Sequence, residues 1–238
     1  MEIKAIKTEI FIENENLFSF ILKYVKRIRE NSVLVVTSKI VALSEGRTEK
    51  YKNKKQKVIL IKRESDFALK TKITWLTIKD SMVMANAGID ESNADGKLIL
   101  LPENSFQRAE ILRKKLINHF KLRNLGIVIT DSRLMPLRAG VVGIALGYAG
   151  FQGIKNYIGG KDIFGRILRM SKTDIADSLA TSAVLCMGEG KEKQPLAIIT
   201  NAPVIFTNKV KRNELLIDPK KDIYAPLFKN LKSNEKRK

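Results

Sequence analysis

Apolar residues recur along this chain with two different periods. Leu17, Phe18, Ile21, Leu22, Val25 and Ile28 stand three or four apart, which predicts a helix over 16–29 with one apolar face. The β-branched run after Ser32 reads as a buried strand, Ser32–Val36, leading into TSKIVALSEGR. Residues 50–57 are polar and lysine-rich and read as an exposed loop, after which KVILIKRES predicts a strand over Val58–Ile61. LTIKDSMVMANAG alternates, turns apolar and breaks at Gly88. A helix over 103–121 follows from the stripe Phe106, Ala109, Leu112, Leu116 and Phe120, with Arg108, Arg113, Lys114 and Lys121 off it. The next strand, Leu125–Thr130, ends at Asp131. Beyond the glycine-rich RAGVVGIALGYAGFQG, residues 172–187 return to helical spacing, with Ser171 and Thr173 beside Asp174 as caps. PLAIIT, Pro195–Thr200, reads as a last core strand.

This order of elements predicts an α+β, or irregular α/β, fold: mixed sheets, amphipathic helices and a glycine-rich core. No strict βαβ rhythm, Walker A motif or dinucleotide glycine fingerprint is present. At 238 residues the chain suits one domain or two interleaved subdomains. The unit is expected over 1–207. Residues 208–238 form a basic tail with Pro219 and Pro226, expected to be partly disordered and to fray after Phe228.

Charge changes this picture less than its size suggests. The net charge is +19, yet the basic residues are dispersed, with runs only near 50–57 and in the tail, and no aromatic ladder interleaves them. Nucleic acid is therefore not expected as the main partner; a lysine-rich, AT-biased coding sequence accounts for the excess, and a basic field also suits an anionic nucleotide or polyacid. Cys186 is the only cysteine, which removes intramolecular disulfides and thiolate zinc clusters. The charged N-terminal residues lack a signal-peptide core and no apolar run has membrane length, so a cytoplasmic protein is expected.

Two carboxylates stand out. Asp131 follows an apolar strand, where α/β proteins present polar groups to ligands. Asp90 lies in NAGIDESN among oxygen-bearing side chains. With the Ser132 hydroxyl, the two aspartates would make a partial shell for Mg²⁺ or Mn²⁺. An Asp in a Gly/Asn/Ser loop equally serves as an Asx-turn, and spacing alone favours that plainer role. Gly140, Gly143, Gly147, Gly150 and Gly153 suit close packing better than phosphate contact. Arg138 offers a fork for carboxylate or phosphate. His119 reads as a surface residue, Cys186 as a small core residue and Trp75 as packing; without a usable His or Cys nucleophile, the remaining chemistry is that of carboxylates, metal and basic residues.

NAGIDESN, ITDS, the glycine tract, GGKDIFGR, ADSLATSAVL and MGEG stand in one order from about Val33 to Ile199. In this the chain resembles the F420-0:gamma-glutamyl ligases. The resemblance implies an NTP-dependent ligase, with GTP as cosubstrate, that joins L-glutamate to a carboxylated acceptor through an acyl phosphate, in a homodimer. It makes Asp90, Asp131 and Ser132 ligands of two divalent ions, with Glu189 as a further candidate. Ser38, Asn93 and the turn Met187, Gly188, Gly190 and Gln194 would face the nucleotide. The chain departs from the family pattern at Leu43, where a nucleotide-directed lysine is expected and for which Lys39 would compensate, and at Leu134, Met135 and Leu137. Two alternatives follow: a ligase of this fold acting on another, folate-like acid, or a non-catalytic nucleotide- or nucleic-acid-binding homologue.

Overall fold

The computed structural model describes residues 1–228; the end of the basic tail, and the fraying expected there, lie outside the described residues. In chain order the elements are β1 (Glu2–Ile6), α1 (Leu17–Tyr24), β2 (Ser32–Thr37), α2 (Ser38–Ser44), β3 (Thr48–Glu49) and α3 (Lys54–Arg63). β4 (Phe67–Lys70), β5 (Trp75–Lys79), β6 (Met82–Ala85), β7 (Leu98–Ile99), α4 (Ser105–Phe120), β8 (Leu125–Leu134) and β9 (Val141–Ala149) follow. β10 (Ile154–Asn156), β11 (Lys172–Asp174), α5 (Ile175–Met187), β12 (Leu196–Thr200) and α6 (Ala225–Phe228) complete the order. This is a mixed α/β architecture, as the periodicity predicts.

Among the described residues the main sheet has the order β1-β12-β2-β8-β9, in which only β2 and β8 run parallel. Leu34, Val36, Ile127 and Ile129 face the core under α1 and α4, while Val33, Val35 and Val128 face α5. Both faces are covered, which is why VLVV is uniformly apolar instead of alternating. A smaller three-stranded sheet, β4-β5-β6, lies between α2 and α4 in the chain, beside α3 and the pair β3-β7. No helix among the described residues is long and apolar enough to cross a membrane.

Several expectations need correcting. The strand expected over Val58–Ile61 is the centre of α3: Asn53 caps it by accepting from the Gln56 N–H at 3.1 Å, and Leu60 and Ile61 turn inward while Ile59 stays exposed. The helix over 16–29 stops at Tyr24, although Val25 and Ile28 remain buried as irregular chain. The N-terminal residues, given no element in advance, form β1 against β12. β8 does not end before Asp131 but runs on to Leu134 in antiparallel pairing with β9. Arg113 is buried, donating from Nε to the Leu125 carbonyl at 2.7 Å and from Nη2 to Asn208 Oδ1 at 2.8 Å. Cys186 is exposed, on the uncovered side of α5 with Leu185.

The glycine tract packs within the chain. A Cβ at Gly143 would meet Val184 and the Ala180 carbonyl of α5, and one at Gly147 would meet the backbone of Ser105 and Phe106 at the start of α4.

The cap of α5 is Asp174, not Ser171 or Thr173; its side chain accepts from the Asp177 N–H at 2.9 Å. Burial, reinforced by the neighbouring Asp177 carboxylate, pushes the Asp174 carboxyl up to about 6. An unfolded aspartate titrates near ~3.9, so the folded chain holds the extra proton between these values and this group's contribution to stability falls as pH rises from about 4 to about 6. Asp174→Asn keeps the capping oxygen and removes the charge. The variant should gain about 1–2 kcal/mol at pH 7, after allowance for solvent screening, and next to nothing at pH 4. Paired urea melts at the two pH values check this; equal stabilities at pH 7 would refute it.

Candidate active site

The site grows from the parallel pairing of β2 and β8. Thr37 lies opposite Thr130, so both strands deliver their next residues, Ser38 and Asp131, to the same end of the sheet. Ser38 is buried in the first turn of α2, and its hydroxyl donates to Asp131 Oδ1 at 3.3 Å. A register shift against β9 between Ile129 and Thr130 precedes this point. Burial raises the half-buried Asp131 carboxyl above its ordinary range, against the opposing pull of Arg133, the Ser132 N–H and Ser38; the Asp90 charge adds to the rise.

Asp90 reaches the same region from the segment between β6 and β7. Its backbone exchanges both hydrogen bonds with Ile99, at 3.0 and 2.9 Å, which holds it extended. The carboxylate accepts from the Ser92 N–H at 2.7 Å and the Ser92 hydroxyl at 2.9 Å, so the Asx-turn weighed as its plainer role is formed. It also pairs with Lys39 Nζ at 2.8 Å, and the ammonium donates further to the Ser92 carbonyl at 2.9 Å. Burial opposes its ionisation, yet Lys39 and the Ser92 N–H outweigh burial and hold Asp90 below the usual carboxylate range. Consecutive residues of α2 thus serve the two aspartates: Ser38 holds Asp131 and Lys39 holds Asp90. Leu43, one turn later, is half-buried and packs against the core.

The other expected site residues divide. Ser132 donates to Glu189 Oε1 at 2.6 Å, joining β8 to the turn after α5, but strand alternation sends Ser132 to the face opposite Asp131. Asn93 is exposed with a left-handed backbone, φ 53°. The Met187 side chain is buried in the core, so only its backbone is left to face a ligand. Gly188 ends α5 at φ 82°, where a side chain would strike Glu192. Gln194 is half-buried, and Arg138 lies on the exposed β8–β9 turn without a side-chain partner among the described residues.

Two residues passed over in the sequence belong to this picture. Glu192 folds back so that its carboxylate accepts from the Gly190 N–H at 2.8 Å, an anion on the glycine turn. Arg133 is buried two residues after Asp131; it donates to the Val83 carbonyl at 3.1 Å while its Nε finds no acceptor among the described residues. The i, i+2 spacing from Asp131 was the signal for Arg133, since it places both on one face of the strand.

The residues fit a divalent cation in part. Asp131 is a half-buried carboxylate with Ser38 as its side-chain hydrogen-bond partner, and Asp90 already holds a cation in the Lys39 ammonium. Among the described residues no three His, Cys, Asp or Glu side chains converge on one point. Two carboxylates completed by water suit Mg²⁺ or Mn²⁺, which keep several waters when bound. Ser132 and Glu189 stand apart from them.

A family model described as F420-0:gamma-glutamyl ligase matches residues 5–201, a span that includes every candidate residue named above. The chain belongs to the F420-0:gamma-glutamyl ligase family. It is similar to a coenzyme F420:L-glutamate ligase of Methanococcus maripaludis strain C6, with 31% identity over 94% of this chain and 97% of that protein. Higher identities come from shorter alignments: 39% with the ligase of the same name from strain C7 and 41% with that of Methanocaldococcus jannaschii. Those alignments span little more than half of the relatives' length, 58% and 57%.

Proposed function

We propose that this chain is an NTP- and divalent-metal-dependent amide ligase that joins L-glutamate to a carboxylated acceptor, in this family the coenzyme F420-0 precursor. The observation that carries it is the convergence of Asp90 and Asp131 on α2 in a chain of this family. In the reaction, an acceptor carboxylate oxygen attacks the γ-phosphorus of GTP and the nucleoside diphosphate leaves. The glutamate amine then displaces phosphate from the acyl carbon and gives up a proton as the amide forms. Asp90 and Asp131 would hold one or two Mg²⁺ or Mn²⁺ ions, whose chemistry when bound is to neutralise phosphate charge. Lys39 keeps Asp90 ionised and Ser38 fixes the direction of Asp131; in the Gly188–Gly190 turn the Gly190 N–H is held by the Glu192 carboxylate, an anion that the nucleotide would displace. The homodimer belongs to the same reading: Ile163, Phe164 and Met170 expose nearly their whole side chains between β10 and β11, a cost that a second copy would relieve.

The test is calorimetry with GTP and ATP in Mn²⁺, followed by phosphate release in the presence of glutamate and F420-0. Release that requires both co-substrates is expected. Nucleotide hydrolysis indifferent to glutamate would overturn the proposal.

A further inference from the structure

A cleft of about 300 Å³ opens between α3 and the β4–β5 hairpin. Its walls present cations and neutral donors. Lys54, Lys70 and Lys72 line it, and none of the three makes an ion pair among the described residues. Glu91, the only carboxylate in the lining, is already held by Lys57 at 3.0 Å and by the Tyr51 hydroxyl at 2.9 Å. The hairpin tip is built firmly: Thr71 Oγ1 accepts from the Ile73 and Thr74 N–H groups at 3.2 and 3.0 Å. Asn86 spends its carbonyl oxygen on the Thr74 hydroxyl at 2.7 Å and the Trp75 N–H at 3.2 Å, which fixes the amide with its NH₂ group left over as a donor. Trp75, half-buried, supplies an aromatic wall. Such a set selects a ligand with several negative charges and a planar ring.

The cleft adjoins the aspartate site. Asp90 turns toward Lys39, and the next residue, Glu91, turns toward the cleft. We propose that the cleft binds the acceptor of the ligation, an anionic organic acid carrying a planar ring, with the ring against Trp75 and the acidic groups on Lys54, Lys70 and Lys72. The role as acceptor site rests on the ligase reading above; the binding chemistry does not.

Trp75 is the only tryptophan in the chain, so its emission reports on this cleft directly. The full chain and a Lys70→Gln/Lys72→Gln variant are titrated with F420-0, with GTP plus Mg²⁺, and with inorganic phosphate. F420-0 should change the emission saturably and bind about tenfold more weakly to the variant, while GTP and phosphate leave the emission unchanged. In turnover the variant's acceptor KM should rise by a similar factor, with kcat and the GTP KM unmoved. No saturable change with F420-0, an unaltered affinity in the variant, or a response to GTP in place of F420-0 would each overturn the assignment. Saturable, lysine-dependent binding by a chain that shows no glutamate-dependent turnover would uphold the cleft and overturn the ligase reading instead.

Discussion

Replacing Asp131 or Asp90 by Asn is expected to cut metal-dependent nucleotide turnover on the order of a hundred- to a thousandfold while leaving the fold intact. Asn preserves the shape and the acceptor oxygen at each position. At Asp90 that oxygen still receives the Ser92 N–H, so the turn survives. At Asp131 the Ser38 hydroxyl still has an acceptor. Only the two negative charges disappear, and with them the means of holding a divalent ion against phosphate. Stability should move the other way from activity at Asp131, because burial penalises its charged form more than Arg133, the Ser132 N–H and Ser38 favour it, whereas an amide carries no charge to bury. Steady-state phosphate release over a Mn²⁺ series, paired with thermal melts, separates the outcomes. Loss of turnover with an unchanged or higher Tm supports metal binding. Turnover within about a factor of ten of the parent in both variants would remove the pair from the chemistry.

What could be read from the residues depended on how local the cause was. The stripe of α4 and the VLVV strand are set by burial of neighbouring side chains, and both were legible from spacing. α3 was not, because Val58–Ile61 carries strand-forming side chains; the Asn53 cap and the burial of Leu60 and Ile61 on one side decide for helix. Arg113 was misplaced because its charge suggested solvent, whereas a carbonyl and an amide wait for it inside. Cys186 failed in the opposite direction: α5 is apolar on more than the side it buries. The candidate site divides in the same way. Asp90 within its turn was legible because Ser92 follows two residues later. The Ser38–Asp131 contact joins residues 93 apart and exists only because β2 and β8 run parallel in one register. Nothing near Lys39 in the chain announces that it reaches Asp90 and Ser92. The metal roles are what the resemblance to the family implies; what the geometry shows is that Ser38 and Lys39 of α2 each bond one of the two carboxylates.

The glycine tract supplies the largest expected effect on stability. Gly147→Ala should destabilise the chain by about 3 kcal/mol, lowering Tm by roughly 6–12 °C in a protein of this size. An added Cβ would lie 2.5 Å from both the Phe106 nitrogen and the Ser105 carbonyl carbon. Those are backbone atoms at the start of α4, so no rotamer change relieves the clash. If α4 moves, Asn104 loses its capping bond to the Gln107 N–H, now 2.9 Å, and Phe106 loses its ring contact with Tyr148, now at 5.2 Å between centroids. If β9 moves, the pairing of Gly147 with Ile129 is disturbed at the register shift just ahead of Asp131. Gly190→Ala is the control, since its nearest neighbour is the Glu192 carboxylate at 3.4 Å, an ordinary contact. It should cost no more than about 0.5 kcal/mol. Thermal melts of both variants decide the matter: similar Tm values would mean that the glycines are not there to let β9 lie against α4, and that a ligand approaching their backbone must be sought instead.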